Sequence, residues 1–455
     1  MIANGQDVSI RPMYGLKIIV ACESPMSPLR LLIPLLMTAG LLIAGNGLAG
    51  TLVALRGVEE GMSASLIGLI GAGYYAGFIA GCWMAPQLLR AAGHIRAFAA
   101  IAAVAACASL ALVLVIDPVT WFVLRLMSGL CMAVLFANVE SWINASVGNE
   151  TRARSLTIYR FVDLGAVTAS QYMLPLFGVD GFAIFAAMTM LMMLSIVPVS
   201  LADRSNPAPP APFAFSPRRL WQLSPVAVAG SVAVGLTGAS FRSIGPLYAA
   251  GLGMDVRSVA TFMSAGIIGG IVLQYPLGHL SDRVDRRYVI LLSTLGAALS
   301  GLFMAFAAGG NTGLNLIGIF LFGAFALPLY SLSCAHANDR AAPGEFVLIA
   351  AGMLFFWAVG ASIGPLFSSI MIDWYGPAAL FRFTTAIHLA LALYTLFRLR
   401  SRAPSGKPAR RRWAALLRTS PVFARMAAAG GADEAGHRSS RDKTKAEGDK
   451  AAQKR

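Results

Sequence analysis

Residues 31–55 read Leu31-Leu-Ile-Pro-Leu-Leu-Met-Thr-Ala-Gly-Leu-Leu-Ile-Ala-Gly-Asn46-Gly-Leu-Ala-Gly-Thr-Leu-Val-Ala-Leu55 and contain no charged side chain. A helix of about 20 apolar residues is long enough to cross the hydrocarbon core of a bilayer. In lipid, every backbone polar group must be hydrogen-bonded within the protein, which leaves helices or closed barrels. Barrel strands of about ten residues alternate strictly between apolar and polar, and this run does not. The stretch therefore predicts a transmembrane helix.

Similar apolar runs recur along the chain, separated by short polar connectors. The composition agrees, because 57% of the residues are hydrophobic and only 13% are charged, whereas soluble chains carry about 25% charged residues. We therefore predict an all-α integral membrane protein with twelve transmembrane helices, which excludes a soluble globular protein. The runs are 31–55, 65–87, 97–116, 119–142, 156–177, 182–201, 223–249, 257–280, 288–308, 313–335, 346–372 and 379–399.

The net charge of +15 is concentrated in the C-terminal tail. Residues 400–455 contain fifteen Lys and Arg against five Asp and Glu, a net charge of +10. Within the tail, residues 410–418 place Trp413, Leu416 and Leu417 among cations, a pattern typical of an interfacial helix on anionic lipid. Beyond about residue 430 the composition favours disorder. A solvated basic end without a role is the alternative, and we predict no nucleic-acid partner.

Lys and Arg residues are unevenly shared between the two predicted sides of the membrane. Fourteen lie in the N-terminal segment and the even-numbered connectors, against two in the odd-numbered connectors. Because cytoplasmic loops carry the excess of Lys and Arg, we predict an inner-membrane protein with both termini in the cytoplasm. The predicted parts are a cytoplasmic N-terminal segment 1–30, a six-helix bundle 31–201, a Pro-rich cytoplasmic linker 202–222, a six-helix bundle 223–399 and the basic, largely disordered cytoplasmic tail 400–455.

An internal repeat relates the two predicted bundles. A shift of 192 residues pairs Gly77 with Gly269, and a shift of 194 pairs Gly129 with Gly323. Repeated halves are typical of secondary transporters, whose substrate site lies between the halves near the middle of the membrane. We therefore expect two pseudo-symmetric six-helix bundles that share a central cavity.

The connector after the eighth predicted helix reads Gly278-His-Leu-Ser-Asp282-Arg283-Val-Asp285-Arg286-Arg287. It resembles the G-x-L-x-D-R-x-G-R-R signature of the major facilitator superfamily, with Asp285 at the position of the second Gly. The corresponding first-half stretch, residues 86–94, keeps that Gly but has Arg90 in place of the Asp. The resemblance covers residues 30–400 and implies the fold of that superfamily and secondary transport by alternating access.

Other stretches resemble motifs of the same superfamily. Arg125-Leu-Met-Ser-Gly129 is similar to the R-x-x-x-G motif common in proton-coupled members. Gly360-Ala-Ser-Ile-Gly364-Pro365 is similar to a motif that antiporter members carry in the fifth helix, although here it lies in the other half. Residues 125–133 and 140–145 together resemble an uncharacterised branch of sugar- and drug-transporter-like members. None of these motifs specifies a substrate.

The signature loop predicts a cytoplasmic gate, formed by Gly278, Asp282, Arg283, Arg286 and Arg287. We expect Asp282 to accept hydrogen bonds from a neighbouring helix N-terminus or from an Arg, and the three arginines to face lipid phosphates. The alternative is that the loop only orients the protein through its cations. We favour the gate because that rule does not require an Asp.

Charged residues inside the predicted helices are candidates for the transport pathway, because a charge in the hydrocarbon costs at least about 2.5–3.5 kcal/mol unless it is paired or hydrated. Arg125 is expected to line the cavity, with a structural pair or a snorkelling head as the alternative. Glu140 and Arg160 share one depth and are expected to form an ion pair between neighbouring helices. Asp163 is then the acid left to carry a proton, unless it forms a local i,i+3 pair with Arg160.

The resemblance also implies that helices 1, 4, 7 and 10 line the central cavity. This nominates Asn46, Asn138, Arg242 and Tyr330 by position. Each has an alternative role, because Asn46, Asn138 and Tyr330 could bond a neighbouring helix and Arg242 could snorkel to the interface.

These observations predict a secondary active transporter that moves a small molecule, with proton coupling through the buried acids. No G-x-x-x-x-G-K-[ST] loop for ATP occurs, and neither the five scattered cysteines nor the five histidines have metal-site spacing. We therefore expect no enzyme activity, no cofactor and no metal. The alternatives are a facilitated-diffusion carrier and a receptor or scaffold that does not transport. The expected partners are the substrate, protons, the bilayer and, at the basic tail, anionic lipids.

Overall fold

Long helices make up nearly all of the described part of the chain, residues 28–146, 149–201, 216–341 and 345–401 of the computed structural model. A short helix, Pro217–Leu223, precedes the second half. The long helices are α1 (Pro28–Gly47, continued by Ala49–Glu59), α2 (Ala64–Ala92), α3 (His94–Leu114), α4 (Pro118–Ser146), α5 (Asn149–Gln171, continued by Met173–Phe177), α6 (Ala183–Leu194, continued by Ile196–Leu201), α7 (Pro225–Gly251), α8 (Val256–Arg283), α9 (Arg286–Phe306), α10 (Thr312–Ala326, continued by Leu329–Asn338), α11 (Phe346–Tyr375) and α12 (Ala379–Ser401).

The helix pattern confirms the all-α membrane fold with twelve helices. Within the described ranges, eleven helices are long and apolar enough to cross a membrane. The remaining helix, α5, is also long, but it carries charged residues that include Arg160 and Asp163. The predicted N-terminal segment, linker and basic tail lie mainly at residues 1–27, 202–215 and 402–455, outside the described residues.

Polar side chains mark the starts of several helices. Ser63 accepts a hydrogen bond from the Leu66 N–H at the start of α2, and Asp255 accepts one from the Ser258 N–H at the start of α8. Such caps satisfy backbone donors that have no partner inside the helix. Between α2 and α3, Gly93 has a φ of 76°, a left-handed conformation that favours glycine. The chain can therefore reverse there without a longer loop.

The predicted repeat is visible in the packing of both halves. A Cβ atom on Gly77 of α2 would overlap the carbonyl oxygen of Leu126 on α4. In the second half, a Cβ on Gly269 of α8 would overlap the carbonyl oxygen of Phe320 on α10. Both pairs require glycine for close helix approach. Since the two pairs are related by the shifts of 192 and 194 residues, the halves repeat a contact as well as a sequence.

The same holds for the reverse contact of each helix pair. Gly129 of α4 lies against the backbone of Tyr74, and Gly323 of α10 lies against the backbone of Gly266. The shift from Tyr74 to Gly266 is again 192 residues. Helices α1–α6 and α7–α12 therefore form two pseudo-symmetric bundles.

The bundles meet mainly where α1 packs on α7, α2 on α11, and α5 on α8. We call the end of the molecule where residues 278–287 join α8 to α9 the motif end. The opposite end is where residues 60–63 join α1 to α2 and residues 376–378 join α11 to α12. Near the opposite end, Gly68 of α2 lies directly against Ser369 of α11, and Gly50 of α1 lies against the Arg242 carbonyl of α7. The bundles are thus in close contact there.

Candidate functional site

Three helices of the first bundle bring polar side chains together around Tyr74. Arg125 of α4 is buried, with 4% of its surface exposed, and its guanidinium carbon lies 4.5 Å from the centre of the Tyr74 ring. Asn46 of α1 donates a hydrogen bond from Nδ2 to the Tyr74 hydroxyl at 3.2 Å. Two of the predicted residues, Asn46 and Arg125, are therefore linked through a tyrosine of α2.

The second bundle reaches this region through Trp357 of α11. Its ring packs edge-on against Tyr75 at 5.8 Å and against Phe78 at 6.2 Å between ring centroids. Tyr75 in turn packs edge-on against Tyr74 at 5.3 Å. The indole Nε1 of Trp357 is buried and has no hydrogen-bond partner among the residues that the structure describes. The aromatic side chains thus form a continuous wall between the two bundles, and one donor in it is unused.

Sequence reasoning did not nominate Tyr74 or Trp357. Aromatic residues in an apolar helix are usually packing residues, so neither position stands out in a single sequence. The one signal available was that each bears a polar atom that needs a partner when it is buried.

Arg242 of α7, in the second bundle, is half-buried. It lies within electrostatic range of Tyr74 and of Arg160. Among the described residues, no carboxylate lies within salt-bridge distance of Arg125 or Arg242. The Nε of Arg125 also lacks a hydrogen-bond partner. The site is therefore rich in positive charge.

Helix α5 contributes an ion pair to this region. Arg160 forms a salt bridge to Asp163 at 3.1 Å, and its Nη2 donates to Oε1 of Gln274 on α8 at 3.4 Å. Asp163 therefore forms the local i,i+3 pair with Arg160 that was the alternative for this residue. The expected ion pair between Glu140 and Arg160 is wrong. Residues three apart lie on the same face of a helix, so Asp163 reaches Arg160 however α5 packs against its neighbours.

Glu140 of α4 is fully buried and lies within electrostatic range of Tyr159 and Cys82. Asn138 is also fully buried, and its Nδ2 donates to the carbonyl of His94 at 2.8 Å, which ties α4 to the start of α3. Asn138 therefore bonds a neighbouring helix, which was its alternative role. Tyr330 is buried on α10. Among the described residues, neither Asn138 nor Tyr330 is seen to hydrogen-bond Arg125.

Comparisons with known proteins agree with this architecture. The sequence profile described as Major Facilitator Superfamily matches residues 227–432. An uncharacterized MFS-type transporter of Yersinia pestis (strain Pestoides F) is 24% identical over 351 residues, which are 76% of this chain and 91% of that protein. The uncharacterized MFS-type transporter YcaD of Escherichia coli O7:K1 (strain IAI39 / ExPEC) is 24% identical over 380 residues, covering 82% and 97%. The second half of the chain thus matches the superfamily profile, and most of its length resembles MFS-type transporters.

Solved structures of superfamily members share the fold. The nucleoside transporter NupG has a TM-score of 0.68 at 14% identity and covers 81% of this chain and 99% of its own. A bacterial homolog to the human lysosomal transporter Spinster, in an inward-facing and unoccupied conformation, has a TM-score of 0.63 at 12% identity, covering 90% and 99%. These structures share the fold with this chain, which is a multi-pass membrane protein. The similarity to MFS-type transporters indicates membrane transport of a small molecule.

The superfamily signature at the motif end is built into its own bundle. Asp282 forms a salt bridge with Arg286 at 3.3 Å. The same guanidinium donates from Nε to Asp339 at 2.7 Å and from Nη1 to the Ser281 hydroxyl at 2.9 Å. Arg286 is only 2% exposed. Buried charges need this degree of pairing, because desolvation would otherwise outweigh their attraction.

The second half of the signature closes on itself in the same way. Asp285 caps α9 by accepting from the Arg287 N–H at 3.0 Å, and it also accepts from Nη2 of Arg287 at 2.7 Å. Arg287 further donates to the Arg398 carbonyl on α12 at 3.3 Å. Burial disfavours the charged form of Asp285, but the hydrogen bonds and charge of Arg287 outweigh it and lower its pKa.

The expectation that Arg286 and Arg287 face lipid phosphates is wrong. Both are buried, because each satisfies carboxylates and carbonyls of the second bundle. Arg283 is exposed and keeps that role as a candidate. Gly278 is buried on α8.

An acid at the opposite end joins the two bundles. The carboxylate of Asp373 on α11 accepts hydrogen bonds from the N–H of Ala64 at 3.0 Å and of Ser65 at 2.9 Å, at the start of α2. Helix N-termini carry a partial positive charge and unpaired donors. We call this contact the Asp373 clasp. No local sequence pattern predicts it, because Asp373 lies 309 residues from Ala64 and 308 residues from Ser65.

Proposed function

We propose that this protein is a secondary active transporter that works by alternating access and is driven by protons across the inner membrane. In this proposal the motif end faces the cytoplasm, in agreement with the fourteen-to-two bias of Lys and Arg. Both termini and the linker 202–222 then lie in the cytoplasm. Reporter fusions after residues 61, 210 and 430 test the orientation, and position 210 outside the cell would overturn it.

The arrangement of Asp163 and Arg160 at the bundle interface supports proton coupling most directly. Arg160 bonds Asp163 within α5 and Gln274 on α8. A nearby cation favours the charged form of a carboxyl group, and desolvation favours the neutral form. If the bundles separate at α5 and α8, Arg160 loses a contact and is free to shift relative to Asp163. Proton binding and bundle movement then affect each other reciprocally.

Alternating access is supported by where the bundles touch. At the opposite end, the Asp373 clasp and the contact of Gly68 with Ser369 hold α2 against α11. The polar site around Tyr74 lies farther along the same helix, at about 15 Å from its start by helical rise. A rocking motion that breaks the clasp would open a path to this site from the opposite end, as expected for a site between repeated halves.

The test is flux in liposomes. A ligand is first identified by thermal stabilisation of the purified protein against a library of metabolites and drugs, since a ligand of the native state must stabilise it. Uptake of that ligand under an imposed pH gradient should collapse in Asp163→Asn, whereas counterflow exchange should survive. Asp180→Asn is the matched control, because Asp180 is an exposed acid outside the site.

Each alternative function has its own outcome in this experiment. Wild-type flux that ignores the pH gradient and protonophores would indicate facilitated diffusion and overturn proton coupling. Binding of the ligand without any flux would indicate a receptor or scaffold. Loss of counterflow together with uptake in Asp163→Asn would assign Asp163 to substrate binding instead of proton transfer.

A further inference from the structure

Positive charge exceeds negative charge around Tyr74. Arg125, Arg242 and Arg160 lie in the interior of three different helices, and of these only Arg160 has a salt bridge to an acid in the described residues. The ionisable neighbours of Arg125 are Tyr74 and Tyr75. The buried acid Glu140 lies within electrostatic range of Tyr159 and Cys82. Within the described ranges, the guanidinium groups of Arg125 and Arg242 thus have no carboxylate at salt-bridge distance.

Such a surplus is expensive inside a membrane. A central Arg costs about 2.5–3.5 kcal/mol on insertion scales. Arg125 begins the third turn of α4, at about 10 Å from the helix start by helical rise, and it is 4% exposed. The Tyr74 ring covers one face of its guanidinium, which offsets part of the cost. Its Nε still has no acceptor, so the charge is not fully compensated.

A bound anion would supply what the site lacks. Arginine is suited to carboxylate and phosphate because its planar group offers several parallel donors. The buried N–H of Trp357 offers one more donor from the second bundle, and Tyr75 and Phe78 form an apolar wall beside it. The donors and the wall together match a molecule with an anionic group and an apolar body.

We infer that the substrate is a small organic anion, held at its carboxylate or phosphate by Arg125 and Arg242 and covered by Tyr74 and Trp357. This inference rests on the proposed transport function. Because Arg125 and Trp357 belong to different bundles, binding of the anion would connect the bundles at the level of the site. Uptake of a monoanion together with one proton on Asp163 would move no net charge.

Matched pairs of acids and neutral analogues test the anion requirement. Benzoate, succinate and glycerol phosphate are compared with benzamide, succinamide and glycerol for thermal stabilisation of the purified full-length protein. At least one acid should raise the unfolding temperature, and its neutral analogue should not. The effect should be lost in Arg125→Gln and in Arg242→Gln. The class of acid that stabilises distinguishes carboxylate from phosphate recognition.

Arg382→Gln is the control variant. Arg382 also stacks on an aromatic ring, with its guanidinium carbon 5.4 Å from the Phe306 centroid, but it is exposed on α12. It should keep the wild-type response to the acids.

A second measurement needs no ligand. If Arg125 is an uncompensated charge in the empty site, Arg125→Gln should raise the unfolding temperature of the ligand-free protein by a few degrees, since binding sites trade stability for function. Arg382→Gln should leave it unchanged. A fall in the unfolding temperature of Arg125→Gln would instead assign Arg125 to packing and overturn the inference.

Failure of the anion site and failure of transport give different results. Stabilisation by neutral analogues, or by none of the acids, overturns the anion site even where flux of another ligand is observed. Stabilisation by an acid that depends on Arg125, without any flux in liposomes, leaves the anion site in place and overturns transport.

Discussion

Asp282, near the end of α8 at the motif end, forms its salt bridge with Arg286 at the start of α9 in the same bundle. Asp373 at the opposite end instead accepts two backbone hydrogen bonds from α2 of the other bundle. The first acid belongs to a recognisable signature, and the second belongs to none. The comparison indicates that a signature residue can serve the stability of one bundle while the bundles are joined elsewhere.

The chemistry of the two ends explains the difference. At the motif end, Arg286 and Arg287 are buried, and the carboxylates of Asp339 and Asp285 neutralise them. At the opposite end, the exposed N–H groups at the start of α2 need only one carboxylate. Such a contact requires no motif, and it can break without leaving a buried charge unpaired. It is therefore suited to a contact that opens and closes.

The largest expected effect is at the buried ion pair of the motif end. Arg286→Gln leaves Asp339 buried without its cation and should destabilise the protein by about 3–5 kcal/mol, measured by thermal or denaturant unfolding in detergent. Arg283→Gln is the control, because Arg283 is an exposed neighbour, and it should unfold like the wild type. Equal unfolding of both variants would contradict a structural role for the motif end.

The second prediction concerns the Asp373 clasp. Asp373→Asn removes a charge worth about 0.3–1 kcal/mol at a helix N-terminus, so the open population at this end should rise by up to about fivefold. Labelling of Ser369→Cys by a membrane-impermeant maleimide, in a chain without its five native cysteines, measures it. Global unfolding should change little.

The control for the clasp is Asp180→Asn. Asp180 lies at the same end, but its salt bridge is to Arg56 of the same bundle. Labelling that increases equally in both variants would show a general effect of charge at this end, and the cross-bundle role of Asp373 would be abandoned.

A smaller effect is expected from the titration of Asp285. Because its folded-state pKa is lowered, its contribution is present above the unfolded value of about 3.9 and is lost as the pH falls through the folded value. The difference in unfolding free energy between wild type and Asp285→Asn should therefore be constant from pH 7 to 5 and shrink below about pH 4. A difference that instead grows on acidification would contradict the lowered folded-state pKa of Asp285.

The smallest effect on stability is expected for Asp282→Asn. The i,i+4 salt bridge with Arg286 is partly exposed and should be worth less than about 0.5 kcal/mol. We nevertheless expect lower flux with normal membrane insertion if the acid also gates the motif end. Unchanged flux would reduce the acid of the signature to a local partner of Arg286 and would sharpen the contrast with Asp373.

The membrane class, the helix count and the duplication were determined by the sequence alone. Apolar runs such as residues 31–55 are long enough to span a bilayer, and this constraint is local to each helix. The glycine pairs marked the repeat in the sequence, and the structure places them at close helix contacts, which small residues permit. Asn46 and Arg125 stood out for a related reason, since polar residues are rare in such runs.

The partners of these residues were decided only by the tertiary structure. Whether Arg160 bonds Asp163 or Glu140 depends on how α4 and α5 are turned about their axes, which helical periodicity does not specify. Tyr74, Trp357 and Asp373 acquire their roles from side chains that are distant in sequence, and in isolation each resembles a packing or surface residue. Composition and periodicity report which face of a helix avoids water. They do not report which neighbouring helix that face meets, because this depends on the packing of all twelve helices.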